Sequence, residues 1–208
     1  MKLSVVIPVY NESGTLKEIL RRINEIDIDK EIIVVDDGST DSTVGLIKEL
    51  KAAQNGQIRF LAHETNSGKG AAIVTGLQAA QGDITLIQDA DLEYDPGDYP
   101  ALLEPFKDEE VQVVYGSRNL RKNDRSTLTF YWGGRLLSWI TNLLYGSNIT
   151  DEPTCYKVFR TSLLKDLNLQ CRGFDFCPEV TAKVLRRKIP IHEVPISYYP
   201  RDWKQGKK

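Results

Sequence analysis

The sequence predicts an α/β fold with a mostly parallel central sheet flanked by helices, and three observations carry that prediction. Compact apolar runs with little polar alternation recur through the first half of the 208 residues, as strands buried on both faces require. Between these runs, apolar residues recur at helical spacing. Polar residues crowd the positions just after each run, where an open parallel sheet keeps its ligand crevice. Strands that alternate with helices imply right-handed crossovers.

Leu3 to Val9 is the first strand, and Leu16, Ile19, Leu20 and Ile23 at i, i+3, i+4 and i+7 form the apolar stripe of the first helix. Ile32 to Val35 is the second strand, followed by a turn and a helix over residues 41–54. Ile58 to Leu61 precedes a third helix with Ile73, Gly76, Leu77 and Ala80 on one face. Ile84 to Ile87 is the fourth strand. Tyr99, Leu102, Leu103 and Phe106 mark a helix beginning near Pro96, and Val111 to Tyr115 is a fifth strand. Beyond residue 118 the alternation lapses, and 118–129 reads as a mobile functional loop with five charged side chains. A helix follows with Gly133, Leu137, Ile140 and Leu144 on one face. Then come a short strand at Tyr156 to Phe159, a helix with Pro178 as its first residue, and an alternating edge strand through Val194, Ile196 and Tyr198.

Composition bounds the function. A hydrophobic content of 41% beside 27% charged residues supports one buried α/β core and excludes wholesale disorder. The longest uninterrupted apolar runs, such as Ile32 to Val35, fall far short of the roughly 20 residues of a spanning helix. Pro8, Asn11 and Glu12 interrupt the one candidate for a secretory leader, so a cytoplasmic location is expected. The 3 cysteines, Cys155, Cys171 and Cys177, lack CxxC spacing, and His63 and His192 are far apart, which removes disulfide and zinc readings. The net charge of −2 hides an asymmetry: residues 1–110 carry 10 Lys/Arg and 21 Asp/Glu (−11), and residues 111–208 carry 17 and 8 (+9). An acidic half suits a cation that neutralises a phosphorylated ligand. A basic half suits a second anion or an anionic membrane surface.

Four loops share the carboxyl rim of the predicted sheet: Pro8-Val-Tyr-Asn-Glu12, Asp36-Asp-Gly-Ser-Thr-Asp41, Asn66-Ser-Gly-Lys-Gly70 and Gln88-Asp-Ala-Asp-Leu-Glu93. Asp89, Asp91 and Glu93 place three carboxylates within five residues, a costly cluster unless Mg²⁺ or Mn²⁺ neutralises it. Mg²⁺ joins one or two protein carboxylates to phosphate oxygens, so a diphosphate is the matching ligand. Gly68-Lys-Gly70 lacks the Ser/Thr of a Walker loop, and Ile73 stands where a dinucleotide fingerprint needs Gly. Lys69 either supplies a positive charge to the phosphates or merely opens a helix.

Taken in this order and spacing, Pro8-x-Tyr-Asn-Glu12, Asp36-Asp-Gly-Ser-x-Asp41, Gly68-Lys-Gly70 and Asp89-x-Asp91 resemble the family-2 glycosyltransferases of the GT-A (nucleotide-diphospho-sugar transferase) fold. Gln88-Asp-Ala-Asp91, Gly116-Ser-Arg118, Ile149-Thr-Asp151 and Cys155-Tyr-Lys-Val-Phe-Arg160 resemble the dolichol-phosphate mannose synthase-like branch, which glycosylates polyprenyl phosphates. The resemblance implies a single glycosyltransferase domain over 1–208, with a nucleotide-sugar half (1–117) and an acceptor half (118–208). It implies that Pro8, Tyr10, Glu12, Asp37, Lys69, Gln88, Asp89 and Ala90 bind the nucleotide sugar and that Asp89, Asp91 and Glu93 take the metal. Many members have Gln in place of Glu93, and Ser-Gly-Phe-Arg where this chain has Thr154-Cys-Tyr-Lys-Val-Phe-Arg160. Arg118 and Arg201 would hold the acceptor phosphate.

The implied reaction is inverting transfer of a hexose from a GDP-mannose or UDP-glucose type donor to a polyprenyl or dolichyl phosphate. An ionised phosphate scarcely needs a base, whereas an alcohol on a glycan or protein would need one, and Asp151 is the candidate beside the catalytic pair Asp91 and Arg118. Two alternatives stand beside it: the alcohol acceptor, and a nucleotide-sugar-binding regulator without turnover. The expected partners are the nucleotide sugar, the polyprenyl phosphate and no nucleic acid. Peripheral contact with the cytoplasmic face of a membrane is expected through Arg121, Lys122, Arg125, Lys204 and Lys207.

Overall fold

The computed structural model describes residues 1–53, 58–123 and 128–201, so Arg125, Lys204 and Lys207 lie outside the described residues. The strands are β1 (Leu3–Val9), β2 (Lys30–Asp36), β3 (Ile58–Ala62), β4 (Ile84–Ile87), β5 (Val113–Ser117), β6 (Lys157–Arg160) and β7 (His192–Pro195). Among the described residues they form one sheet in the order β3-β2-β1-β4-β6-β5-β7. The helices are α1 (Leu16–Glu25), α2 (Thr43–Ala53), α3 (Lys69–Ala79), α4 (Tyr99–Leu103), α5 (Leu128–Tyr145), α6 (Thr161–Asp166) and α7 (Phe176–Arg186).

β1, β4 and the Ile32–Val35 stretch of β2 are apolar because the sheet is covered on both faces there, and β4 is buried along its whole length, whereas β3 at the edge exposes Arg59. Helix α1 buries Leu16, Ile19, Leu20 and Ile23 against it, and its outer face carries the Glu18–Arg22 pair at 2.8 Å. Gly76 lets α3 lie directly on β1, since a Cβ there would stand 2.4 Å from Val6 Cγ1. Parallel register sets Val9 beside Asp36 and Asp36 beside Ala62, so the loops after β1, β2 and β3 emerge level. That alignment builds the rim on which the four polar loops meet.

The sheet is mostly parallel, as expected: β6 runs antiparallel to both β4 and β5, and β7 pairs parallel to β5. Several element bounds are corrected by packing. The fifth strand starts at Val113 rather than Val111. The helix expected from Pro96 is a short α4 between two 3₁₀ turns, Pro96–Asp98 and Glu104–Lys107, because Pro100 and Pro105 interrupt it. Pro178 is the third residue of α7, not the first, and α6 was not expected. The last strand ends at Pro195. Ile196 and Tyr198 continue inward, and Tyr198 bridges Tyr94 in antiparallel fashion. Helix α5 does gather Leu137, Ile140 and Leu144 on one face, but that face points to solvent.

Candidate active site

A cavity of about 460 Å³ opens at the carboxyl rim of β1, β2 and β4. Pro8, Tyr10, Glu12, Asp37, Lys69, Asp89, Ala90, Asp91, Glu93 and Arg201 line it, so the structure brings together most of the residues singled out from sequence. Gln88, Arg118 and Asp151 are not on its wall.

Asp37 is buried at the end of β2, and backbone amides satisfy its charge. Oδ1 accepts from the Ser67 amide at 2.9 Å and Oδ2 from the Gly68 amide at 2.8 Å. Its third partner went unnoticed in the sequence: His63 Nδ1 lies 2.7 Å from Oδ1, and His63 Nε2 lies 2.9 Å from Thr75 Oγ1. The available signal was position, since His63 follows β3 on the same rim. Asn11 ties the first two loops together: its Oδ1 accepts from the Thr40 and Asp41 amides at 2.8 and 3.3 Å.

The carboxylates after β4 do not converge as a three-ligand cage. Asp89 pairs with Lys69 at 2.5 Å. Glu93 accepts from the Tyr198 hydroxyl and the Arg201 amide, each at 2.8 Å. Among the described residues no group of three His, Cys, Asp or Glu side chains is disposed to hold a metal. Of the three carboxylates expected to take a metal, Glu93 is thus engaged by Tyr198 and Arg201 and Asp89 by Lys69.

Asp91 differs from its neighbours. Burial, then the charges of Asp89 and Glu93, push its carboxyl up to about 7 despite Arg201 at 3.5 Å. A half-buried carboxylate with surplus negative charge around it, open to a cavity, fits a divalent cation that takes one or two protein carboxylates and completes its shell with phosphate oxygens. Arg201 crosses the same wall, 3.4 Å from Glu12, with its Nε buried and without a hydrogen-bond partner among the described residues.

Gln88 is turned into the core, where its Oε1 accepts from the Tyr99 and Tyr156 hydroxyls at 2.7 Å each and its Nε2 donates to the Asp89 carbonyl at 2.9 Å. It therefore props the Asp89 backbone rather than facing the cavity. Asp151, with a side chain 2% exposed, is held by Arg118, which itself stacks 5.1 Å over the Tyr198 ring. Two cavity residues, Gly173 and Phe174, escaped the sequence reading. Asn66 sits in a loop already noted, and Phe174, 83% exposed, projects from an irregular segment whose Gly173 carbonyl accepts the Gly70 amide at 3.0 Å.

With this geometry in view, comparison with known proteins is direct. Glycosyl transferase family 2 matches residues 4–167. The UDP-N-acetylglucosamine–dolichyl-phosphate N-acetylglucosaminyltransferase of Methanococcus voltae is 33% identical over 92% of this chain and 83% of its own length. The undecaprenyl-phosphate mannosyltransferase of Micrococcus luteus is 29% identical over 100% of this chain and 87% of its own. Among solved structures, glucosyl-3-phosphoglycerate synthase from Mycobacterium tuberculosis, in complex with Mn²⁺, UDP and glucosyl-3-phosphoglycerate, superposes with a TM-score of 0.75. It covers 98% of this chain and 74% of that one at 23% identity, which establishes a shared fold.

Proposed function

The chain belongs to glycosyl transferase family 2 and is a glycosyltransferase of GT-A fold, and from that premise we propose that it transfers a hexose, with inversion, from a nucleoside-diphosphate sugar to a polyprenyl phosphate. The donor is of the GDP-mannose or UDP-glucose type, including N-acetylated hexoses.

The observation that carries the choice of acceptor is the state of Asp151. An alcohol acceptor needs a general base within hydrogen-bond reach, and the best candidate for it is committed to Arg118 and absent from the cavity wall. A phosphate acceptor, with a second pKa near 6, arrives ionised and needs positioning instead. The relatives from Methanococcus voltae and Micrococcus luteus, both named for polyprenyl-phosphate acceptors, support the same choice.

In this reading Tyr10, Glu12 and Asp37 receive base and ribose, with Pro8 and Ala90 as walls. Lys69 neutralises Asp89 and lies beside the diphosphate. Asp91, with Asp89 beside it, would hold Mg²⁺ or Mn²⁺, which would supply Lewis-acid stabilisation of the departing nucleoside diphosphate. Arg201, planar and able to donate in two directions, positions the acceptor phosphate. Arg118, expected in the same role, instead braces the wall from behind through Tyr198, whose hydroxyl holds Glu93. The enzyme works at the cytoplasmic face of a membrane, where the acceptor resides.

Incubation with labelled UDP- and GDP-sugars, Mg²⁺ or Mn²⁺ and polyprenyl phosphate should move label into the organic phase. Label appearing only on water-soluble glycan alcohols would reject the phosphate acceptor. Nucleotide binding without any donor consumption would reject turnover itself.

A further inference from the structure

Helix α5 is turned inside out. Its inward face is polar and small: Ser138 Oγ donates to the Gly134 carbonyl at 3.1 Å and accepts the Glu152 amide at 2.9 Å. On the same face, Asn142 donates to the Ile149 carbonyl and accepts from the Ile149 amide and the Ser147 hydroxyl. The outward face carries Trp132, Leu136, Trp139, Ile140 and Leu143 at successive helical spacings, with Trp132 66%, Trp139 60% and Leu143 69% exposed. A helix that merely covers a core presents the opposite pattern. A contiguous exposed apolar stripe of this length marks an interaction surface.

We infer that this outward face of α5 is a docking surface for an anionic lipid bilayer, with the helix lying in the plane of the membrane interface. The partner follows from charge and geometry. Residues 128–145 contain no Asp or Glu and a single Arg, Arg135, and exposed Arg121 and Lys122 precede the helix. Such a surface complements anionic headgroups, whereas apposing a second copy would set these positive flanks against each other. Trp132 and Trp139 place two amphipathic indoles on the stripe, the side chain favoured where an apolar layer meets water. Only one face is apolar, and no helix among the described residues is long and apolar enough to cross a membrane, so the helix lies on the bilayer rather than through it.

The inward face explains why docking serves the site. Ser138 holds the Glu152 amide, one residue from the Asp151 that grips Arg118, and Gly134 lies against Pro153. Lipid contact along α5 therefore sets the Arg118 side of the cavity toward the membrane. This last step rests on the polyprenyl-phosphate reading, whereas the docking surface is read from the helix itself.

The full chain is tested on phosphatidylcholine vesicles with and without phosphatidylglycerol, in a Trp203→Phe background so that Trp132 and Trp139 alone report. Co-sedimentation should require phosphatidylglycerol and weaken with salt, and brominated phosphatidylcholine should quench the fluorescence. Leu136→Ser with Leu143→Ser should weaken vesicle binding about a hundredfold, with melting temperature and nucleoside-diphosphate affinity unchanged. Bromolipid quenching uses the parent surface and so stands even if the double variant misfolds. Unquenched tryptophans, or a folded double variant that sediments like the parent, would overturn the proposal. So would a dimer dissolved by the double variant in a protein that ignores vesicles. Vesicle binding through α5 without transfer to polyprenyl phosphate removes the acceptor reading alone. Transfer in detergent solution by a protein that ignores vesicles removes the docking surface alone.

Discussion

Arg118 closes on Asp151 through three hydrogen bonds: its backbone amide and Nε donate to Oδ2 at 2.9 and 2.8 Å, and Nη2 donates to Oδ1 at 2.7 Å. The residues are 33 positions apart, at the end of β5 and in the loop before β6, so the pair ties the end of one strand to the approach of its neighbour. Removing one partner of a buried pair leaves an uncompensated charge at a cost of roughly 3–5 kcal/mol. Asp151→Ala should lose stability on that scale in urea denaturation, with a smaller loss for Asp151→Asn, which keeps hydrogen-bond acceptance. Undiminished stability in both variants would show that the pair contributes nothing to the fold.

Asp91 predicts a pH dependence. Its carboxyl is pushed up to about 7 in the folded chain, so between the ordinary carboxylate range and pH 7 the folded state holds a proton that the unfolded state has released. Its contribution to stability is therefore complete below the ordinary carboxylate range and is lost as pH rises toward 7. In metal-free protein, the stability of the parent relative to Asp91→Asn should fall across that interval. Saturating Mn²⁺ should reverse the fall, and Asp91→Ala should lack turnover while staying folded. A flat difference between parent and Asp91→Asn, read from melts at several pH values, would count against the burial and charge crowding described here.

His63 orients a carboxylate that the cavity uses. Losing a hydrogen bond to a charged group is worth roughly 1.5–3 kcal/mol, and Asp37 keeps two amide donors, so the lower end applies. His63→Ala should weaken nucleoside-diphosphate binding about tenfold by calorimetry, and turnover at saturating donor should change little. His63→Gln, which can still donate, should recover part of the affinity. A kcat loss without an affinity loss would remove His63 from donor positioning.

The strands and rim loops were legible because both follow from local pattern. Leu3 to Val9 and Ile84 to Ile87 are apolar on both faces, and the Asp, Asn and Gly residues after them have nowhere else to be in a parallel sheet. Strand direction was not legible at β6, since Lys157–Arg160 reads the same parallel or antiparallel and only its pairing with Ile84 and Val113 decides. Periodicity in α5 showed that Leu137, Ile140 and Leu144 share a face but could not say which side faces water. That choice is made by Ser138 and Asn142, whose partners sit in the loop over 147–152. Gln88 and Asp151 were picked out by motif, yet the groups that occupy them, Tyr99, Tyr156 and Arg118, come from distant segments brought together by the fold.

Gly68 is where backbone geometry and ligand site coincide. Its φ of +97° and ψ of 156° lie in a region that essentially only glycine enters. A Cβ there would stand 2.3 Å from the Arg172 carbonyl oxygen, which already accepts the Ala71 amide at 3.0 Å and so cannot yield freely. The Gly68 amide meanwhile donates to Asp37, and the next residue, Lys69, neutralises Asp89. Gly68→Ala must either strain the backbone, at roughly 1–3 kcal/mol, or shift the loop and loosen both contacts. The expected outcome is a lowered melting temperature together with weaker nucleoside-diphosphate binding. Gly14→Ala is the control, because nothing lies within 4 Å of a Cβ there and its φ is not in the positive region. If Gly68→Ala melted and bound nucleotide like the Gly14→Ala control, the close approach of the 172–173 backbone to the third rim loop could not be what shapes this wall of the cavity.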